Sequence, residues 1–145
     1  IPANRILIFR RGLWAGFKGD WLTSMSILVP QIENSMRHLM ETMGILVTTI
    51  DNEVIQKERD LNSLLYNPQV MAALGEDWYR QLRCIFTEVA GFNYRNRLAH
   101  GLIQSDEFDE ANDLPAFIWA LTINLCLIFR SSFFRKLLSE KTDRP

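Results

Sequence analysis

At 145 residues the chain has the length of one domain, enough to bury about two-thirds of its unfolded surface. Apolar residues make up 48% of it and charged residues 23%, the balance of an ordinary folded domain. Sixteen Lys and Arg against seventeen Asp and Glu leave a net charge of -1, so nothing in the global charge draws nucleic acid, and any such attraction must come from a local patch.

In chain order the pattern is mostly α. Ile6, Phe9, Leu13 and Phe17 recur at three- and four-residue steps with Arg5, Arg10, Arg11 and Lys18 elsewhere, which predicts an amphipathic helix whose end Gly16 and Gly19 weaken. Asp20 is placed to cap a second helix from Trp21 to Met43, with Met25, Leu28, Ile32, Met36, Leu39 and Met43 as its apolar stripe. Pro30 lies inside it and predicts a kink or a restart, and Gly44 closes it. The stretch 45–56 is rich in β-branched residues around Asp51-Asn52, which fits either a small β-hairpin or an ordered loop. Asp60 caps a short helix through Leu65. Asn67-Pro68 opens another turn of helix that ends at Gly75. Glu76 to Ala90 reads as a helix with Trp78, Leu82, Phe86 and Val89 on one face, stopped by Gly91. Ser105 to Asp113 is a polar, acidic loop.

The last helix starts near Asn112 or Asp113 and runs toward Leu138. Its stretch from Leu114 to Phe129 is apolar on nearly every side, broken by Thr122 and Asn124. That run is shorter than the roughly 20 residues a membrane span needs, although Arg130, Arg135 and Lys136 follow it. A helix apolar all round has to be covered all round. In so small a domain a second copy supplies part of the cover, so a homodimer is expected. Cys84 and Cys126, among apolar neighbours in predicted helices, read as buried free thiols in a reducing, cytoplasmic setting. Two Cys and two His cannot be grouped by spacing into a zinc site, and no cofactor is called for. The chain begins Ile1-Pro2, with no Met and no basic start before an apolar signal, and so reads as one domain cut from a longer protein.

The chemistry is concentrated in Phe92-Asn-Tyr-Arg-Asn-Arg-Leu-Ala-His-Gly-Leu-Ile103. Asn93 is a good N-cap, Leu98 and Ala99 favour helix, and Gly101 can end one. At about 100° per residue Asn96 and His100 share a face one turn apart. Arg95 lies about 140° around from His100, within bending reach of its long side chain. Histidine, with an unperturbed pKa of about 6.5, can take or give a proton near neutral pH. Arginine holds its charge and presents a fork of donors matched to phosphate oxygens.

The string Asn-Tyr-Arg-Asn-Arg-Leu-Ala-His-Gly-Leu resembles the signature of the HEPN superfamily (higher eukaryotes and prokaryotes nucleotide-binding). There an Arg, a polar residue (often Asn), a few residues and a His form the active motif. Pro30-Gln-Ile-Glu-Asn-Ser-Met-Arg-His-Leu39, Thr48-Thr-Ile-Asp51, Leu61-Asn-Ser-Leu-Leu65 and Leu74-Gly-Glu-Asp77 extend the likeness over about Leu22 to Phe129. Together these segments resemble the HEPN subfamily found in the endoplasmic-reticulum membrane-associated RNA degradation protein and in bacterial relatives. The resemblance implies a HEPN-like helical bundle that pairs into a dimer and sets two motifs in a shared cleft. It also implies metal-independent endoribonuclease activity with Arg95, Asn96 and His100 as the catalytic residues, in a toxin, antiviral defence or RNA-turnover role. An inhibitory partner or further domains would belong to such a system. Because the ribose 2′-hydroxyl is the nucleophile, the substrate would be RNA and not DNA.

Read without the resemblance, Arg95 pairs with a surface carboxylate, Asn96 is a first-turn polar residue, and His100 caps a helix C-terminus against its dipole. The alternative function is then a non-catalytic RNA-binding or protein-interaction and dimerisation module. Glu33 and Arg37, four apart on the second helix, fit a solvated salt bridge or a supporting role behind the motif. Arg80 and Arg83, one turn apart, fit a solvated helix face or phosphate contacts, and Arg97 inside the motif is a further candidate RNA contact. His38 has no partner at a useful spacing.

Overall fold

The computed structural model describes residues 2–50, 56–109 and 111–130. Among the described residues the chain is mostly α-helical, with seven α-helices and one two-stranded hairpin. Its internal contacts divide it into two compact units, Ile1–Ser35 with Ile103–Pro145, and Met36–Leu102.

The first unit holds α1 (Ile6–Phe17), the N-terminal part of α2 (Trp21–Thr42), a 3-10 turn (Ser105–Phe108) and α7 (Asp113–Arg130). Asp20 caps α2 as expected, its carboxylate accepting the Thr23 N–H at 3.1 Å. No restart occurs at Pro30. The helix continues past it as one element, with Pro30 itself on the surface. The buried stripe Met25, Leu28, Val29 and Ile32 spans the same turns, and its packing outweighs the one hydrogen bond that proline removes. The expected loop at Ser105–Asp113 begins instead with the 3-10 turn, held by a reciprocal cap between Gln104 and Glu107.

Helix α1 departs from its predicted stripe. Phe9 is buried, but Ile6 is exposed and Phe17 is 71% exposed. The packed face instead carries Gly12 and Gly16. A Cβ on Gly12 would stand 2.6 Å from Leu28 Cδ2, and one on Gly16 would stand 2.6 Å from Trp119 Nε1 and 2.8 Å from Ser24 Oγ. Gly16 therefore does more than weaken the end of α1; it lets α1 approach α2 and α7 closely. The contact is fastened by two hydrogen bonds. Ser24 Oγ donates to the Gly12 carbonyl at 3.0 Å, and Trp119 Nε1 donates to the Leu13 carbonyl at 2.9 Å. On α7 the buried face is Ile118, Leu121, Thr122 and Leu125, while Phe117 and Leu127 remain exposed. The continuation expected from 131 toward Leu138 lies outside the described residues. No helix among the described residues is long and apolar enough to cross a membrane.

The second unit begins at Met36 within α2 and continues through the hairpin and the next four helices. Strand β1 (Thr48–Ile50) runs antiparallel to β2 (Gln56–Glu58), with Thr48 opposite Glu58 and Ile50 opposite Gln56. The expected turn at Asp51-Asn52 lies outside the described residues. Arg59 N–H donates to the Val47 carbonyl at 2.8 Å and carries the ladder one step further.

Caps then set the short helices. Asp60 accepts the Ser63 N–H at 2.8 Å to start α3 (Leu61–Leu65). Asn67 accepts the Gln69 N–H at 2.9 Å to start α4 (Pro68–Leu74), with Pro68 in the first turn. Helix α5 (Glu76–Phe86) packs against α3, α4 and α6 (Tyr94–Ala99). Leu61, Leu64, Leu65, Val70, Leu82 and Phe86 form the core between them.

Helix α5 is shorter than its pattern suggests, and Val89, assigned to its apolar face, is 85% exposed. The Arg83 carbonyl accepts both the Thr87 N–H at 3.0 Å and the Glu88 N–H at 2.8 Å, which closes the helix before Val89. The chain then doubles back, and Phe92 N–H donates to the Cys84 carbonyl at 2.9 Å. That return passes over Gly91, where a Cβ would lie 3.0 Å from the Cys84 carbonyl carbon. Cys84 and Cys126 are both free thiols, but Cys84 is exposed, against expectation, because it faces away from the Leu82–Phe86 core. Cys126 is half-buried, and burial pushes its thiol above the usual cysteine range.

Candidate functional site

Helix α6 is only six residues long, so its ends decide its geometry. Tyr94 is fully buried and anchors the first turn in the core. Asn93 occupies the N-cap position but in the left-handed region, φ 46° and ψ 34°. Its side chain does not cap a backbone N–H, which corrects the expectation. Its Oδ1 instead accepts from Asn96 Nδ2 at 2.7 Å, and Asn96 Oδ1 accepts from Arg95 Nη1 at 3.0 Å. The result is a part-buried chain of three polar side chains within four residues of sequence.

The C-terminal end is a Schellman closure. Gly101 N–H donates to the Leu98 carbonyl at 3.2 Å and Leu102 N–H to the Arg97 carbonyl at 2.8 Å, with Gly101 at φ 67°. His100 is the C-cap. Its N–H donates to the Asn96 carbonyl at 3.0 Å, so the imidazole leaves the backbone one turn beyond Asn96 and is exposed. The structure thus brings Arg95 and Asn96 into direct contact and leaves His100 solvent-accessible on the next turn.

The neighbouring field is set by a residue that sequence reading assigned only to capping. Asp60 accepts the Ser63 hydroxyl at 2.6 Å as well as its N–H. The hydroxyl, then the N–H, then the positive charges of Arg95 and Arg37 hold its carboxyl below the ordinary aspartate range. Arg95 and Asp60 therefore sense each other's charge although they are far apart in sequence. No local pattern could have revealed that.

Arg37, with a side chain 17% exposed, donates from Nε to the Arg59 carbonyl at 3.0 Å and lies 3.4 Å from Glu58, so it fastens the end of the hairpin to α2. Glu33 is 7% exposed on the part of α2 that belongs to the other unit, and neither residue is the solvated half of a surface pair. Arg80 does make such a pair, donating from Nε to Glu76 Oε1 at 3.0 Å on an exposed face. Arg83 is gripped on several sides. Its guanidinium lies 4.2 Å from the centre of the Tyr66 ring and 5.4 Å from that of Tyr79, donates to the Tyr79 hydroxyl at 3.1 Å, and pairs with Glu88. A guanidinium held this way staples α5 to the end of α3. Arg97 Nη2 donates to the Leu102 carbonyl at 3.5 Å. His38 is exposed, 3.9 Å from Glu41.

Among the described residues no three His, Cys, Asp or Glu side chains gather as a metal site requires. No family model matches the chain, and neither the curated proteins nor the solved structures contain a match to it.

Proposed function

We propose that the α6 segment is an RNA-phosphate site and that the chain is a HEPN-like, metal-independent endoribonuclease, working as a homodimer in the cytoplasm. The observation that carries the reading is the ordered run from Asn93 through Asn96 to Arg95, with an accessible imidazole one turn beyond it. The amide of Asn96 accepts from the guanidinium on one side and donates to Asn93 on the other. Its role in this reading is to aim Arg95.

Strand cleavage of RNA begins with attack of a ribose 2′-oxygen on the adjacent phosphorus. The bond to the 5′-oxygen of the next nucleotide breaks, leaving a cyclic phosphate and a free 5′-hydroxyl. His100 takes the 2′-hydroxyl proton or delivers one to the departing oxygen; a second copy of the motif would supply the other transfer. Arg95 offsets the negative charge that builds on the phosphorane. The unpaired state of Cys84 and Cys126 supports a reducing compartment.

The experiment is incubation of the protein with a single-stranded RNA in the presence of a chelator, alongside His100→Ala and Arg95→Ala. Each variant is expected to lose about 100-fold or more in rate, and a DNA of the same sequence is expected to remain whole. Equal cleavage by the wild type and His100→Ala would end the nuclease reading. The second reading, a non-catalytic interaction module, is supported by one observation, the open apolar groove on α1 described next.

A further inference from the structure

The first unit carries an open groove of about 890 Å³ along α1 and α7. Its floor and walls are almost wholly apolar, made by Phe9, Leu13, Trp14 and Phe17 of α1 with Trp119 and Ile123 of α7. Phe9, Leu13 and Phe17 recur at four-residue steps over a helix about 18 Å long, so the groove repeats with a helical period. Trp14 is 58% exposed, its ring stacked on Phe17 at 5.7 Å with Lys18 Nζ 5.3 Å above it. Tryptophan and arginine are among the residue types on which binding energy concentrates at protein interfaces.

The charge around the groove has one sign. Arg10 and Arg11 line it, and between residues 3 and 19 there are four cations and no Asp or Glu, in a chain whose net charge is -1. Arg10 and Arg11 on the lining, with Lys18 over the Trp14 ring, give the apolar floor a positive rim. The complement of that surface has apolar side chains at helical spacing and carboxylates on both flanks.

We propose that this groove docks an acidic amphipathic helix of a partner protein. The apolar face of the helix lies on Leu13, Trp14, Phe17 and Trp119, and its flanking carboxylates meet Arg10 and Arg11. The periodic, open form of the groove favours a helix over a single small ligand. The proposal does not depend on the α6 site.

The test uses two synthetic 18-residue helical peptides, both with Leu at i, i+3, i+4 and i+7, one with Glu and the other with Lys at the flanking positions. Binding is followed by tryptophan fluorescence and calorimetry on the full chain. The Glu peptide is expected to bind about tenfold or more tighter than the Lys peptide, and less tightly as salt rises. In Arg10→Glu/Arg11→Glu, whose changes fall on exposed side chains, the preference is expected to reverse. Equal binding of the two peptides, binding of neither, or an unchanged preference in the double variant would overturn the proposal. Tighter capture by phosphatidylglycerol vesicles than by the Glu peptide would overturn it in favour of a lipid surface. Self-association abolished by the double variant would overturn it in favour of a second copy.

Discussion

Replacing Gly16 with alanine opposes two effects of known size. Alanine in a helix interior is favoured over glycine by about 1 kcal/mol. Against that, the new methyl would stand 2.6 Å from Trp119 Nε1 and 2.8 Å from Ser24 Oγ, far inside contact distance. Neither neighbour can give way freely. Trp119 Nε1 is held by the Leu13 carbonyl at 2.9 Å and Ser24 Oγ by the Gly12 carbonyl at 3.0 Å. Overpacking costs about 1–3 kcal/mol, and stretching one of those bonds leaves a buried polar group short of its partner at about 1–3 kcal/mol more. The clash wins, and Gly16→Ala is expected to lose about 2–4 kcal/mol net. At about 2–4 °C per kcal/mol for a chain of this size, Tm falls by roughly 5–15 °C. Thermal unfolding followed by circular dichroism reads this directly. An unchanged or raised Tm would mean that propensity outweighs packing and that α1 does not lie so close to Trp119.

Gly91→Ala meets backbone and not a flexible side chain, the Cys84 carbonyl carbon being 3.0 Å from the added atom. It is expected to cost about 1–3 kcal/mol in urea unfolding and, under the proposed nuclease reading, to lower RNA cleavage as well by displacing the turn that leads into α6. Full activity in that variant would separate the turn from the site. Asp60→Asn keeps a capping oxygen but removes a charge that Arg95 senses, and in a His100→Ala background it is expected to tighten RNA binding about 1.5- to 5-fold. Weaker binding would count against Arg95 as the phosphate contact. Because the Asp60 carboxyl is held low in the folded chain, its stabilisation is full above the unfolded value of about 3.9 and fades as pH falls through the folded one. The stability gap between wild type and Asp60→Asn should therefore be present at neutral pH and close in acid. Arg83→Lys keeps the charge but loses the plane that faces Tyr66 and Tyr79. It is expected to destabilise by about 1–2 kcal/mol, nearly as much as Arg83→Ala, and a wild-type Tm would show that charge alone suffices.

Much of the chain's punctuation was readable in its residues. Asp20, Asp60, Asn67-Pro68 and Gly75 mark helix ends where the structure has them, because capping is a contact between near neighbours. The stripe of α2 was readable for the same reason of local period. Errors came where distant contacts decide. Gly16 reads only as a weak helix end, because its second role, admitting Trp119 from far along the chain, leaves no local pattern. Val89 continues a periodic pattern that the backbone abandons because Glu88 turns back toward Arg83. In the candidate site, the spacing from Asn96 to His100 follows from helical geometry, and Gly101 as terminator follows from its tolerance of positive φ. Asn93 deceived because the same residue type serves equally as a cap and as a left-handed residue, and only the surrounding turn chooses between them.

The Schellman closure of α6 has a consequence for how such a site is lost. His100 is held by a backbone bond to Asn96 inside a turn that Gly101 closes at φ 67°. A side chain there strains the turn and frays the residues that carry the ring. Under the nuclease reading, a lineage could silence the enzyme by mutating one glycine, with arginine, asparagine and histidine all still in place. Sequences that keep the three-residue signature but not its terminator are the ones to suspect of dormancy.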